Sequence, residues 1–298
     1  MAVPAMAPQP MSMRLLATWR RFIHWLTKPH VVLALIMFVL MFYMVIIPLY
    51  KLVETTVTWQ SSDLSRVPDA VVGELTIFHW VRMLTGVFGT IYTYTPLKHS
   101  MTIAIGTVVL ALLIGGSLAW LVVRTDMPFR RAVAVFAVIP YVLPSYTLAL
   151  AWLDFFKNER IGGAAGIYQY LFGAPTPDWL AYGFLPIVIT LSLHYYPFTY
   201  LLLSGALVSI DAHLEECGEV LGASRFTILR RITFPIVLPA LLSAFILTFS
   251  RALGTFGTPY FLGAPVRYFT LSTTIYSNIV NRTPAVAYIS ALVLIQMA

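Results

Sequence analysis

The stretch Asp211–Pro239, DAHLEECGEVLGASRFTILRRITFPIVLP, lies between two long hydrophobic runs and interrupts a sequence that is otherwise almost entirely apolar. It carries four acids, three arginines and two glycines. Asp211, Glu215 and Glu219 recur every four residues and so share one face of a helix, while Leu214, Cys217 (or Gly218) and Leu221 fall on another. The spacing predicts a short amphipathic helix. Gly222 suits the left-handed conformation that closes a helix, and Ser224 suits the cap of the next. That next helix carries Ile228, Leu229 and Ile232 on to Pro235. The stretch therefore reads as helix, turn, helix, lying outside the hydrocarbon.

Outward from this stretch, composition sets the solvent. Of 298 residues, 59% are hydrophobic and 10% charged, with a mean hydropathy of +0.82, which leaves too little polar surface to cover a soluble fold. The chain belongs in a bilayer, as an all-α, polytopic helix bundle. Its net charge of +7 is spread singly or in pairs near the ends of apolar runs, the pattern of cytoplasmic membrane flanks and not of a nucleic-acid surface. The single cysteine, Cys217, excludes an internal disulfide and a cysteine metal cluster, and reads as a small packing residue.

Residues 1–30 read as a cytoplasmic amino-terminal segment, disordered over Met1–Gln9 and basic at Arg14, Arg20, Arg21 and Lys28. Residues 31–50 are uncharged and form an uncleaved first transmembrane helix. Residues 51–96 read as an external loop with one surface helix around Phe78–Leu84. A second span, Ser100–Val123, repeats the small residues Ala111, Gly115 and Ala119 every four positions, which lets a neighbouring helix approach closely. Arg124, Arg130 and Arg131 mark a cytoplasmic connection. The third span, Ala132–Phe155, is broken by Pro140 and Pro144; an external loop follows over Phe156–Tyr182; the fourth span is Phe184–Val208. A fifth span runs from Pro239 to about Phe256, and Gly257–Pro284 reads as a loop. Ala285–Ala298 begins a sixth apolar run that stops short of the length of a crossing. Alternation from a cytoplasmic amino end places Asp211–Pro239 inside.

The sequence contains no Gly-Lys pair for a phosphate-binding loop, no HExxH and no GxSxG, so no catalytic residue is assigned, and no histidine pair has metal-ligand spacing. Pro140, Pro144 and Pro197 each remove a backbone donor in mid-membrane, and the carbonyls this frees need protein or water partners. The third and fourth spans therefore offer a polar pathway, with Tyr141, Tyr146, Tyr195 and Tyr196 beside the breaks. His194 reads either as a satisfied, bundle-facing histidine or as a pathway residue. Arg251, well inside the fifth span, either snorkels to the outer interface or serves as a pathway cation. No Asp or Glu sits deep in a span, which argues against a proton- or sodium-coupled carrier.

The central stretch resembles the loop of permeases of type I binding-protein-dependent ABC importers, written E-A-A-x3-G-x9-I-x-L-P. Glu216, Gly222, Ile232 and Pro235 stand at its four positions, followed after Gly222 by Ala223-Ser224. Cys217 and Gly218 replace the alanines and Phe234 the leucine, small for small and apolar for apolar. The resemblance covers residues 97–298, a permease domain incomplete at its carboxyl end. It implies a permease fold with a second half (fused, homodimeric or separate), two cytoplasmic ATPase subunits that bind ATP and Mg, and an external solute-binding protein. No cofactor is expected in this chain. It also implies that Glu215, Glu216, Glu219, Gly222, Ala223, Ser224, Ile232 and Pro235 form the ATPase-coupling loop, in the inner membrane of a prokaryote. A carrier or channel not driven by ATP is the alternative, and a membrane-embedded enzyme is weakened by the missing motifs. The run Leu241–Gly263 looks most like permeases of ferric-iron importers. Those are expected to carry acids where Arg251 and Thr255 stand, a departure that keeps an anionic solute such as an organophosphonate open.

Overall fold

The computed structural model describes residues 24–280 and 286–297. The expectations for Met1–Gln9, Arg14, Arg20 and Arg21, and for the end of the Gly257–Pro284 stretch, lie outside these residues. Among the described residues the fold is all-α, with four helices long and apolar enough to cross a membrane, or five if one bent pair counts as a span.

Helix α1, Pro29–Val57, begins with proline at its first position, where the missing N–H costs nothing. It runs seven residues past Tyr50, because Lys51 pairs with Glu54 at 2.7 Å and the Thr55 and Thr56 hydroxyls donate to carbonyls one turn back. The surface helix α2, Phe78–Leu84, falls where the sequence places it. The outer loop then ends earlier than expected: Gly86, at φ +66°, turns the chain into α3, Gly86–Arg124, so the Tyr92–Thr95 run is helical.

Two π-turns carry helices past two of the prolines. Thr90–Tyr94 lies just ahead of Pro96, and Leu229–Thr233 just ahead of Pro235. Proline in a helix interior loses a hydrogen bond and pushes its ring against the carbonyl four residues back. Widening the preceding turn relieves both. The same device lets the segment after Ser224 run unbroken from outside the hydrocarbon into the fifth span, as one helix, Arg225–Gly254.

Helix α6, Phe184–Val208, is the axis of the bundle and has the bounds that its sequence predicts. It crosses α3 at the small-residue stripe: Ala111, Gly115 and Ala119 are all buried, and a Cβ on Gly115 would sit 2.5 Å from the Tyr196 carbonyl oxygen. Only glycine permits that crossing. Between α3 and α6 the expected third span is not one kinked rod. Helix α4, Arg130–Phe136, leads through a single turn, Ile139–Val142, into α5, Ser145–Phe156, with a bend of 95° between the two arms. Pro144 adopts an extended conformation and starts α5, where its absent N–H is harmless. The connection after α5 holds three helical turns, Glu159–Gly162, Ile167–Phe172 and Asp178–Ala181, the first two closed by left-handed Gly163 and Gly173.

The sequence also misreads Gly257–Pro284 as a loop. After α7, Ala212–Val220, and α8, Arg225–Gly254, the chain forms α9, Gly257–Gly263, and α10, Leu271–Val280. Pro259 is the third residue of α9, within the first turn, where backbone donors have no helical acceptor, so it does not break the helix. Helix α11, Val286–Met297, packs against α1, and Ser290 meets Thr55 across that contact at 3.0 Å. Near the carboxyl end of α1, buried His79 lies 2.8 Å from the buried Asp63 carboxylate and 3.1 Å from the Thr56 carbonyl. Each ring nitrogen faces an acceptor, so His79 ties α1 to α2. The apolar face of α1 is otherwise exposed, so lipid or another chain covers it.

Candidate functional site

Two regions gather the residues singled out in the sequence. The first is the turn between α7 and α8. Asp211 does not join the acidic face; its carboxylate accepts from the His213 N–H at 3.0 Å and caps α7. Gly222 has φ +78°, its N–H donates to Glu219, and the Ala223 N–H donates to the Gly218 carbonyl at 3.0 Å, the paired bonds of a glycine-closed helix end. Ser224 then caps α8, its hydroxyl accepting from the Thr227 N–H at 3.3 Å. Gly218 is buried because a Cβ there would press on Ile228 and Ile232 at 3.2 and 3.3 Å. The small residue of the motif is a packing requirement between α7 and α8.

The acids split into two roles. Glu215 turns inward: its Oε1 accepts from the Thr233 hydroxyl at 2.8 Å and lies 3.2 Å from the Arg124 guanidinium, with both side chains largely covered. It does not stand on the outer surface with its neighbours. Glu216 remains exposed, 3.3 Å from the His213 ring, and Glu219 is exposed as well. Of the expected apolar face only Gly218 packs inward. Leu214, Val220, Leu221 and Phe226 are exposed, as is Cys217, which is therefore not a packing residue. The outer face of this turn combines acids with uncovered apolar side chains. Exposed apolar patches rimmed by charge mark interaction surfaces.

The second region is in mid-bundle. The carbonyl freed by the proline break, Pro140, lies 3.0 Å from His194 Nδ1, which must carry the proton because a carbonyl only accepts. His194 is thus a buried, satisfied histidine. Tyr195 is buried too: its hydroxyl meets Thr255 Oγ1 at 2.6 Å, and that hydroxyl donates back to the Arg251 carbonyl at 2.7 Å. Tyr141 packs on Phe198 and His194, whereas Tyr146 sits beside Gly257, whose missing Cβ would lie 3.0 Å from it. Arg251 is exposed, in the last turn of α8. Beyond it the chain continues into α9, whose Leu262 carbonyl accepts from the Gly183 N–H at 2.8 Å beside the amino end of α6.

Sequence spacing could not reveal Arg124 and Thr233 as partners of Glu215, nor Thr258, whose hydroxyl donates to the Ser145 carbonyl at 3.0 Å. The one local signal for the second was the pair of glycines, Gly254 and Gly257, flanking Thr255 and Phe256. Among the described residues no group of His, Cys, Asp and Glu is arranged to hold a metal ion.

A family described as "Binding-protein-dependent transport system inner membrane component" matches residues 111–297. The chain is 30% identical over 164 residues to a ferric transport system permease protein of Actinobacillus pleuropneumoniae, a match covering 53% of this chain and 23% of that protein. It is 26% identical over 177 residues to a molybdate/tungstate transport system permease protein of Thermococcus kodakarensis, covering 59% and 64%. The chain thus spans less than two thirds of either relative. In fold it is similar to a chain of a bacterial ABC transporter involved in the import of the acidic polysaccharide alginate. That likeness has a TM-score of 0.64 at 15% identity and covers 92% of each chain.

Proposed function

The chain belongs to the binding-protein-dependent transport system inner membrane components, and from this premise we propose that it is the membrane-spanning half of a type I ABC importer. A second permease half, as a fused segment, a second copy or a separate subunit, completes the pathway. Two cytoplasmic ATPase subunits bind ATP and Mg and carry out all hydrolysis; this chain needs no cofactor and catalyses nothing. An external binding protein delivers the solute. The relatives' names cover ferric iron and molybdate or tungstate, so family membership alone leaves the solute open between ferric iron or its chelate and an anion.

The observation that carries this reading is the division of labour in the α7–α8 turn. Glu215 is fastened to the end of α3 and to α8, while Glu216, Glu219, Leu221 and Phe226 are left uncovered on the other side. One side of the turn holds the spans and the other offers a surface, which is what a force-transmitting contact requires. ATP binding in an ATPase subunit seated on that surface then moves α7 as a lever, and Glu215 passes the displacement to Arg124 and α3.

The reading requires the turn, and the amino end of α1, to lie in the cytoplasm of an inner membrane. In a Cys217→Ser background, Ser224→Cys is expected to resist an impermeant maleimide in intact cells and to react once the membrane is opened. Ala164→Cys, in the exposed loop after α5, is expected to react in intact cells. Labelling of the Ser224 position from outside would invert the topology and remove the ATPase surface.

A further inference from the structure

Two spans are interrupted at one level of the bundle. Tyr195 lies eleven residues after Phe184 and thirteen before Val208, so it marks the middle of α6. His194 holds the carbonyl of Pro140 at the first interruption, and Tyr195 holds Thr255 at the second. Leu143 and Pro144 are extended at the one, Thr255 at the other. The interruptions also touch each other, through Thr258 and the Ser145 carbonyl and through the close approach of Gly257 to Tyr146. Non-helical backbone at this depth persists only where it is buried in protein or lines a watered cavity.

The charge at this level is one-sided. Arg251 is exposed, and the Tyr195 hydroxyl lies 3.4 Å from its carbonyl. All twelve acids of the chain lie near helix ends or in connections, and no ion pair to Arg251 occurs among the described residues. A cation facing hydrocarbon is costly, so an exposed arginine at this level calls for water or a counter-charge. The amino end of α5, with its partial positive charge, opens at the same junction and adds to the field. A bare ferric ion would be repelled here; an anion would supply the missing counter-charge.

We infer that the junction of the two interrupted spans is the solute station of the pathway, and that its solute is a small oxyanion gripped by Arg251. The Tyr195–Thr255 pair holds the backbone from which Arg251 projects, so Tyr195 is a positioning residue. This inference rests on the permease reading.

The test uses the complete transporter, with its ATPase and binding protein, in cells otherwise unable to take up the probes. Radiolabelled sulfate, molybdate, phosphate, methylphosphonate and ferric iron are offered in turn. ATP-dependent accumulation of at least one of the four oxyanions is expected. Arg251→Gln should lower it at least about tenfold, the weight of one charge-assisted contact, while Arg251→Lys should stay within about threefold of the parent. Membrane abundance and ATPase co-purification are measured for each variant. Oxyanion uptake undisturbed in Arg251→Gln, or lost equally in both variants at normal abundance, would overturn the role of Arg251. Accumulation of ferric iron with none of the oxyanions would overturn the anion inference and leave the permease reading intact. Accumulation of no probe, with no ATPase co-purifying, would remove both.

Discussion

Glu216→Lys is expected to abolish solute uptake and solute-stimulated ATP hydrolysis while the protein reaches the membrane at its normal level. Glu216 is exposed and makes no contact that holds α7 in place beyond the neighbouring His213 ring, so reversing its charge leaves the fold unchanged. What it changes is the surface offered to a partner, where like charges brought together cost several kcal/mol and a factor of ten needs only about 1.4. Gly222→Val should have the same outcome for a different reason. Nothing lies within 4 Å of the Cβ that a side chain would add, so the substitution fits spatially. The cost lies in φ +78°, a conformation that a β-branched residue avoids by about 1–2 kcal/mol or more and that asparagine tolerates. Gly222→Asn should therefore keep most of the transport that Gly222→Val loses. Equal transport by the Glu216→Lys, Gly222→Val and parent proteins in reconstituted vesicles would show that the turn plays no part in coupling.

Arg124→Ala and Glu215→Ala are each expected to uncouple the transporter, so that ATP is hydrolysed with uptake reduced roughly tenfold. The two side chains are largely covered, and each is the other's counter-charge at the end of α3. Removing one leaves the second poorly solvated and unpaired, which is more damaging than losing the pair. The double substitution should consequently be less harmful than the sum of the singles, with a coupling of about 0.5–3 kcal/mol in a double-mutant cycle of uptake. Strict additivity would mean that Glu215 does not pass motion from α7 to α3.

Much of this organisation is legible in the sequence, where local rules suffice. The bounds of α6 follow from a long run without Asp, Glu, Lys or Arg, and the closure at Gly222 and cap at Ser224 follow from turn chemistry. The Ala111–Gly115–Ala119 stripe announces a close crossing because period four is the period of one helix face. What stays hidden is of two kinds. One is the fate of a proline, which depends on its position in a turn: Pro259 reads as a breaker but falls in the first turn of α9, and Pro96 and Pro235 are passed by widened turns. The other is pairing across the bundle. Glu215 looks identical to Glu216 in sequence, and only the arrival of Arg124 and Thr233 from other elements turns it inward. For the same reason the two readings of Arg251 cannot be weighed until α9 is seen to carry the chain past it to the amino end of α6.

The central claim, that the outer face of the α7–α8 turn is where an ATPase subunit seats, is tested most directly by photo-crosslinking in the assembled transporter. A benzophenone-bearing residue is placed at Glu216, and for comparison at Ala164 in the loop after α5. The account predicts a covalent adduct between the Glu216 position and the ATPase subunit, and an adduct with the external binding protein or none from the Ala164 position. An ATPase adduct from Ala164, or irradiation of the Glu216 position that yields only lipid adducts in a transporter still hydrolysing ATP on demand, would contradict it.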